Sequence, residues 1–192
     1  MSNGREVLFV LMILSMGCTS LPPVLAQVSA PSSDSAKQSV SAYVRQGDNA
    51  YAEGNYKAAI ERYSQALAAY QLNDYVYYNR GNAYRKLKDY KLAIADYNQA
   101  IQLNSQNTFA YLYRGMSYQA SGQPEAAIAD YTTLIKLNAQ EPMAYIRRAE
   151  AYLALNQRDT AVADFETAAD LYKKQRKPEQ ADKVLSQIRA LK

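Results

Sequence analysis

The sequence predicts an all-α solenoid of four helix–turn–helix repeats closed by a C-terminal helix. Two observations carry this. Residues of one kind recur every 34 positions through the body of the chain, and an amphipathic stretch follows the last copy. A third observation, the composition, sets limits on chemistry. The 192 residues include 18 tyrosines and 3 phenylalanines, but no histidine and a single cysteine, Cys18. Zero histidine excludes Ser-His-Asp and Cys-His catalysis and every histidine-containing zinc site. One cysteine excludes a four-cysteine metal site and an intramolecular disulfide.

The first segment reads as an address. Arg5 and Glu6 precede the run Val7 to Met16, apolar except for Ser15. Small residues and Pro22-Pro23 follow. A short charged region, a short apolar region and small residues describe a secretory signal peptide over 1–26. The run is too short to span a bilayer, which takes about 20 residues. Two processing routes stay open. Val24-Leu25-Ala26 offers a signal-peptidase cut before Gln27. Ser15-Met16-Gly17-Cys18 resembles a bacterial lipobox, which would place a lipid on Cys18. The expected destination is the periplasm or a membrane-anchored lipoprotein. Residues 27–39 are rich in Ser, Ala and Pro with no apolar period, the composition of a flexible linker.

The repeats occupy 40–73, 74–107, 108–141 and 142–175. Gly47, Gly81 and Gly115 are 34 apart, and Ala149 continues the series. Tyr43, Tyr77, Tyr111 and Tyr145 share another column; Ala59, Ala93, Ala127 and Ala161 a third. Tyr63, Tyr97, Tyr131 and Phe165 form a fourth; Ala66, Ala100, Leu134 and Ala168 a fifth. A mid-helix Gly costs about 1 kcal/mol against Ala, which is tolerated where a neighbouring helix must come close. The aromatic column is expected to fill the hole so created. Gly54 and Gly122 suit helix C-caps, and Lys88 and Asn156 hold the two equivalent turn positions. Pro124 suits a first helical turn, and Asp74 and Asp89 suit N-caps. Arg80, Arg114 and Arg148 recur in one column, and Asp96, Asp130 and Asp164 in another. The first copy has Gln46 and Arg62 instead, so both positions change together. That covariation within one chain predicts that the pairs meet.

After the fourth copy, Ala181, Val184, Leu185, Ile188 and Leu191 follow Pro178 at helical spacing. This stretch, 176–192, is the expected cap of the last open helix face. The positive excess sits here too. Residues 171–192 carry seven basic and two acidic side chains, while 1–170 carry 15 and 16. The body is therefore neutral, unlike the basic surface of a nucleic-acid binder.

The pattern aromatic-x3-Gly, then Ala-x3-aromatic-x2-Ala, resembles the tetratricopeptide repeat (TPR), here of an exported bacterial type. The second copy, from Asp74 through Ile101, carries it most fully. Tyr stands where the family usually has Trp, and Ser105 and Ala139 where it often has Pro. The resemblance implies a right-handed superhelix whose first helices line a concave groove for a peptide or helix. Carried over, the groove set is Tyr51, Tyr75, Tyr78, Asn82, Arg85, Phe109, Leu112, Met116, Met143 and Ile146. Asn82 is expected to bond a partner's backbone, and Arg85 and Lys86 to meet an acidic group. Chaperone-binding members clamp a terminal carboxylate with Lys, Asn and Arg. At those positions this chain has Val44, Asp48, Phe109 and Tyr113, with only Asn79 kept, so that clamp is not expected.

No Gly-rich phosphate loop, HExxH or GxSxG is present, and no catalytic, cofactor or metal residue is assigned. The groove set is too apolar for base readout, so no nucleic-acid partner is expected. The function so implied is a non-catalytic scaffold that binds a protein segment in the cell envelope. A self-associating structural oligomer is the alternative. Membrane contact is expected only through a lipid on Cys18.

Overall fold

The computed structural model describes residues 33–191, and among these there are nine helices and no strand. α1 (Ser33–Ala52) and α2 (Tyr56–Ala69) form the first repeat; α3 (Asp74–Lys86) and α4 (Tyr90–Leu103) the second. α5 (Thr108–Ala120) and α6 (Pro124–Leu137) form the third, and α7 (Pro142–Ala154) and α8 (Arg158–Lys174) the fourth. α9 (Pro178–Ala190) follows. The expected linker is thus shorter at its C-terminal side: Ser33–Ser39 is the first part of α1. These residues lack an apolar period but contain no Pro or Gly to stop a helix running back from the packed part. The signal segment and Cys18 lie outside the described residues.

Local chemistry sets the helix ends. Side chains of Asn55, Asn73, Asp89, Asn107 and Glu141 accept from backbone N–H groups of the first turns of α2, α3, α4, α5 and α7. The cap of α3 is therefore Asn73, and Asp74 is its first helical residue. There its charge still complements the helix N-terminus. Pro124, Pro142 and Pro178 open α6, α7 and α9, where a missing N–H costs nothing. Each intra-repeat turn passes through the left-handed region. Gly54 and Gly122 have φ of 78° and 76°; Lys88 and Asn156 hold 63° and 59° at equivalent positions. Arg176, between α8 and α9, does the same at 58°, with no glycine or asparagine to announce it.

The columns are the core. Ala59, Ala93, Ala127, Ala161 and the Tyr63, Tyr97, Tyr131, Phe165 series are buried. An added Cβ at Gly47 or Gly115 would stand 2.6 Å from Cε1 of Tyr63 or Tyr131, and at Gly81 2.9 Å from Cε1 of Tyr97. Glycine is thus required by the tyrosine ring of its own repeat. In the fourth repeat the pair is Ala149 and Phe165, buried in one cluster. The tyrosine hydroxyls need acceptors. Tyr63 donates to Asp48 Oδ1 (2.7 Å), Tyr97 to Asn82 Oδ1 (2.8 Å) and Tyr131 to Gln119 Oε1 (2.6 Å). α9 closes the end as expected: Val184 and Ile188 are buried against the fourth repeat, and Ala181 is buried as well.

The repeated Arg and Asp do meet. Arg80 Nε and Nη2 donate to both oxygens of Asp96 at 2.8 Å. Arg114 and Asp130, and Arg148 and Asp164, repeat the fork. The third nitrogen reaches back to the preceding repeat. Arg80 Nη1 donates to Ser64 Oγ (3.0 Å), Arg114 Nη1 to Asn98 Oδ1 (2.7 Å) and Arg148 Nη1 to Thr132 Oγ1 (3.2 Å). Each arginine therefore ties two successive second helices through one first helix. Tyrosines stack on it: Tyr111 and Tyr118 flank Arg114, and Tyr145 and Tyr152 flank Arg148.

Candidate functional site: the inner helix face

α1, α3, α5 and α7 touch one another in sequence, whereas α2, α4, α6 and α8 touch only first helices, apart from α8 against α9. First helices that meet and second helices that splay describe a curved stack with the first helices on its concave side. The groove residues read from the sequence all lie on α1, α3, α5 and α7.

They form rows at 34-residue spacing. The outer row is Tyr75, Phe109 and Met143, exposed at 49%, 60% and 37%. Three large side chains, one per helix, thus leave much of their apolar surface open to water. Behind them Tyr78 and Leu112 are half-buried, and Ile146 is buried. Between α5, α6 and α7 lies a pocket of about 370 Å³, lined by Thr108, Phe109, Leu112, Leu134, Asn138, Glu141, Met143 and Ala144. A second cavity of about 250 Å³ lies between α7, α8 and α9, bordered by Met143, Ile146, Arg147, Tyr172 and Val184 among others.

An aromatic cluster joins the second and third repeats. Tyr78 stands 6.3 Å from Tyr97, 6.4 Å from Phe109 and 6.0 Å from Tyr113, centroid to centroid. The guanidinium of Arg85 lies 4.7 Å over the Tyr113 ring. Among the described residues no carboxylate forms an ion pair with Arg85, and its Nε is buried without a hydrogen-bond partner. Burial pushes the Tyr51, Tyr78 and Tyr97 hydroxyls above their ordinary value, and the charge of Arg85 pulls each back. These hydroxyls stay neutral at physiological pH, and that of Tyr97 donates to Asn82. Burial also raises Tyr75, helped by the charge of Asp48, to which it donates at 3.2 Å.

Two of the expected contacts sit differently. Asn82 is 6% exposed and its Oδ1 accepts from Tyr97, so that oxygen belongs to the groove floor. Ile146 is 9% exposed, packed with Val184 and Ile188, because the capping helix covers it. Met116, on α5, is half-buried. Sequence reasoning missed Tyr113 and the pocket-lining Asn138 and Glu141. Tyr113 occupies a position read only as a lost clamp residue, and Asn138 and Glu141 lie in or beside an inter-repeat turn. Among the described residues, no cluster of three or more Cys, Asp or Glu is placed to hold a metal ion, and no helix is long and apolar enough to cross a membrane.

Comparison with known proteins places this geometry. No curated protein matches the chain by sequence. Among solved structures, MamA is 25% identical, with a TM-score of 0.70 over 75% of this chain and 88% of its own. The first TPR of Spaghetti (RPAP3), bound to the HSP90 peptide SRMEEVD, is 29% identical, with a TM-score of 0.60 over 62% and 94%. The second TPR domain of human RPAP3, in complex with the HSP70 peptide SGPTIEEVD, is 28% identical, with a TM-score of 0.58 over 60% and 97%. Family models of the tetratricopeptide repeat match residues 74–107 and 112–181, together more than half of the chain. With the columns, the stacked helix pairs and these matches in agreement, the chain belongs to the tetratricopeptide-repeat family.

Proposed function

We propose that the chain is a non-catalytic interaction scaffold which holds a segment of a partner protein along its inner helix face, within a bacterial cell envelope. The observation that carries the binding reading is the outer row Tyr75, Phe109 and Met143, exposed at successive repeats beside an apolar pocket. Aromatic and methionine side chains supply large contact area at small entropic cost, and Met adapts to the shape it meets. Two RPAP3 TPR domains of similar fold are described as peptide complexes, which supports the same use of this surface. The envelope location rests on the signal-like segment 1–26, with export through either cleavage before Gln27 or lipid attachment at Cys18.

The test is a pull-down from envelope extract. Phe109→Ser with Met143→Ser removes exposed apolar surface without entering the core. A partner retained equally by the folded double variant would refute the groove. Mass spectrometry of the mature N-terminus tests export, and an unprocessed soluble product would refute it. Self-association through this same row is the second reading; a concentration-dependent mass in light scattering would favour it.

A further inference from the structure

The groove reading leaves open what kind of segment it selects, and one side chain narrows this. The arginines of α3, α5 and α7 other than Arg85 are all paired with carboxylates. Arg80, Arg114 and Arg148 grip aspartates, and Arg147 pairs with Glu150 at 2.9 Å. Arg85 is different: its guanidinium is partly buried, rests on Tyr113, and has no carboxylate. Its charge acts on the hydroxyls of Tyr51, Tyr78 and Tyr97, which burial keeps neutral, and the Tyr97 hydroxyl shares a side-chain hydrogen bond with it, so the groups about it bring no negative charge. The carboxylate on the neighbouring helix, Asp48, has each of its oxygens engaged by a tyrosine hydroxyl, from Tyr63 and Tyr75. A partly buried guanidinium without a counter-charge, one of its nitrogens buried and unbonded, is a site for an incoming anion.

Arg85 is also connected to the α5–α7 pocket. From Arg85 the path runs 4.7 Å to Tyr113, 6.0 Å to Tyr78 and 6.4 Å to Phe109, which lines the pocket. An extended segment rises about 3.3 Å per residue, so Arg85 and Phe109 lie at most about five residues apart along such a segment. The pocket, about 370 Å³ and mainly apolar, lies at the small end of ligand-sized cavities, roughly 300–1,000 Å³, and has room for one large side chain.

We propose that the inner face selects an extended, internal protein segment with an Asp or Glu for Arg85. A large apolar side chain for the α5–α7 pocket lies within about five residues of that acid. This rests on the groove reading and adds a specificity to it. It does not call for a free C-terminus, because Val44, Asp48, Phe109 and Tyr113 stand where a terminal-carboxylate clamp would need cations and amides.

Phage-displayed random dodecamers, fused at their C-termini and so without a free carboxylate, are selected on the immobilised full-length chain. The expected enriched sequences carry an acid within about five residues of Leu, Ile, Met, Phe, Tyr or Trp. A synthetic peptide of the enriched sequence, amidated at its C-terminus, should lose about 10- to 100-fold in affinity to Arg85→Gln, the loss of one charged hydrogen-bonded contact. Phe109→Ser, at an exposed position, should weaken it several-fold. Should Arg85→Gln fold poorly, the unaltered chain supplies the readout: affinity for the peptide should fall as salt rises from about 0.05 to 0.5 M. Enriched sequences without acids, or affinity indifferent to Arg85→Gln and to salt, overturn the acidic requirement. The groove reading survives that result if Phe109→Ser still weakens binding. No enrichment at all, or indifference to Phe109→Ser, overturns the groove itself.

Discussion

The ring of Tyr131 occupies the space where a side chain at Gly115 would begin: a Cβ there would lie 2.6 Å from Cε1. The two residues sit on facing helices of one repeat, and the same relationship joins Gly47 to Tyr63. On an open helix, Gly→Ala adds about 1 kcal/mol of stability. Here the sign reverses, since overpacking costs about 1–3 kcal/mol and the ring is fully buried. Gly115→Ala should therefore lower stability in urea unfolding, and Gly115→Ala with Tyr131→Phe should recover part of the loss, as the Ala149 and Phe165 pair of the fourth repeat implies.

Arginine 114 holds the side chain of Asp130, which is only 5% exposed, and bonds Asn98 of the preceding repeat. Removing one partner of such a pair strands a buried charge, at a cost of about 3–5 kcal/mol. Arg114→Gln should thus be far more damaging than the double variant Arg114→Gln with Asp130→Asn, a difference measured by a double-mutant cycle. Asn98→Ala should cost less than Asp130→Asn, because it removes only the bond between repeats.

Lysine 88 holds a φ of 63° in a turn where the first and third repeats have glycine. A side chain in the left-handed region costs about 1–2 kcal/mol. Lys88→Gly should stabilise by about 1 kcal/mol, raising Tm by about 2–4 °C in a chain of this size. Asn156→Gly should gain less, since asparagine tolerates this conformation. A fall in Tm for Lys88→Gly would show that the lysine makes a contact that offsets its strain.

Tyrosine burial predicts an alkaline limit. Burial holds Tyr63, Tyr97 and Tyr131 above their ordinary value of 10.0, with the Asp48 bond adding to the shift at Tyr63. Their contribution is intact below pH 10.0 and is lost above it, as the unfolded chain ionises while the folded one stays protonated. Stability against urea should fall with rising pH above about 10, by up to about 1.4 kcal/mol per pH unit for each such tyrosine. Tyr131→Phe should flatten that slope. An unchanged slope would mean that the hydroxyl is open to water.

The phase of the repeat, its helix pairs, the turns within each repeat and the Arg–Asp pairing were legible in the sequence, whereas the early start of α1 and the left-handed Arg176 were not. The legible features depend on contacts inside 34 residues or between adjacent copies, and those write a period into the chain. The recurrence of Ser64, Asn98 and Thr132 was equally periodic, yet three different polar residues disguise one role as acceptor for the next arginine. Asn73 took the cap from Asp74 because either chemistry suits a helix start, and only the backbone path chooses between them.

What the sequence alone determined is therefore the repeat: which faces are apolar, where each turn falls, and why glycine opposes tyrosine. The large share of tyrosine follows from that pattern, in which one column fills the holes over the glycines and another stacks on arginines. The tertiary structure decided the inner face. Curvature arises from small rotations summed over successive helix pairs, a property no single repeat contains. That summation leaves Phe109 in water, hides Ile146 beneath α9, opens a pocket among α5, α6 and α7, and sets Arg85 on Tyr113 without a counter-charge.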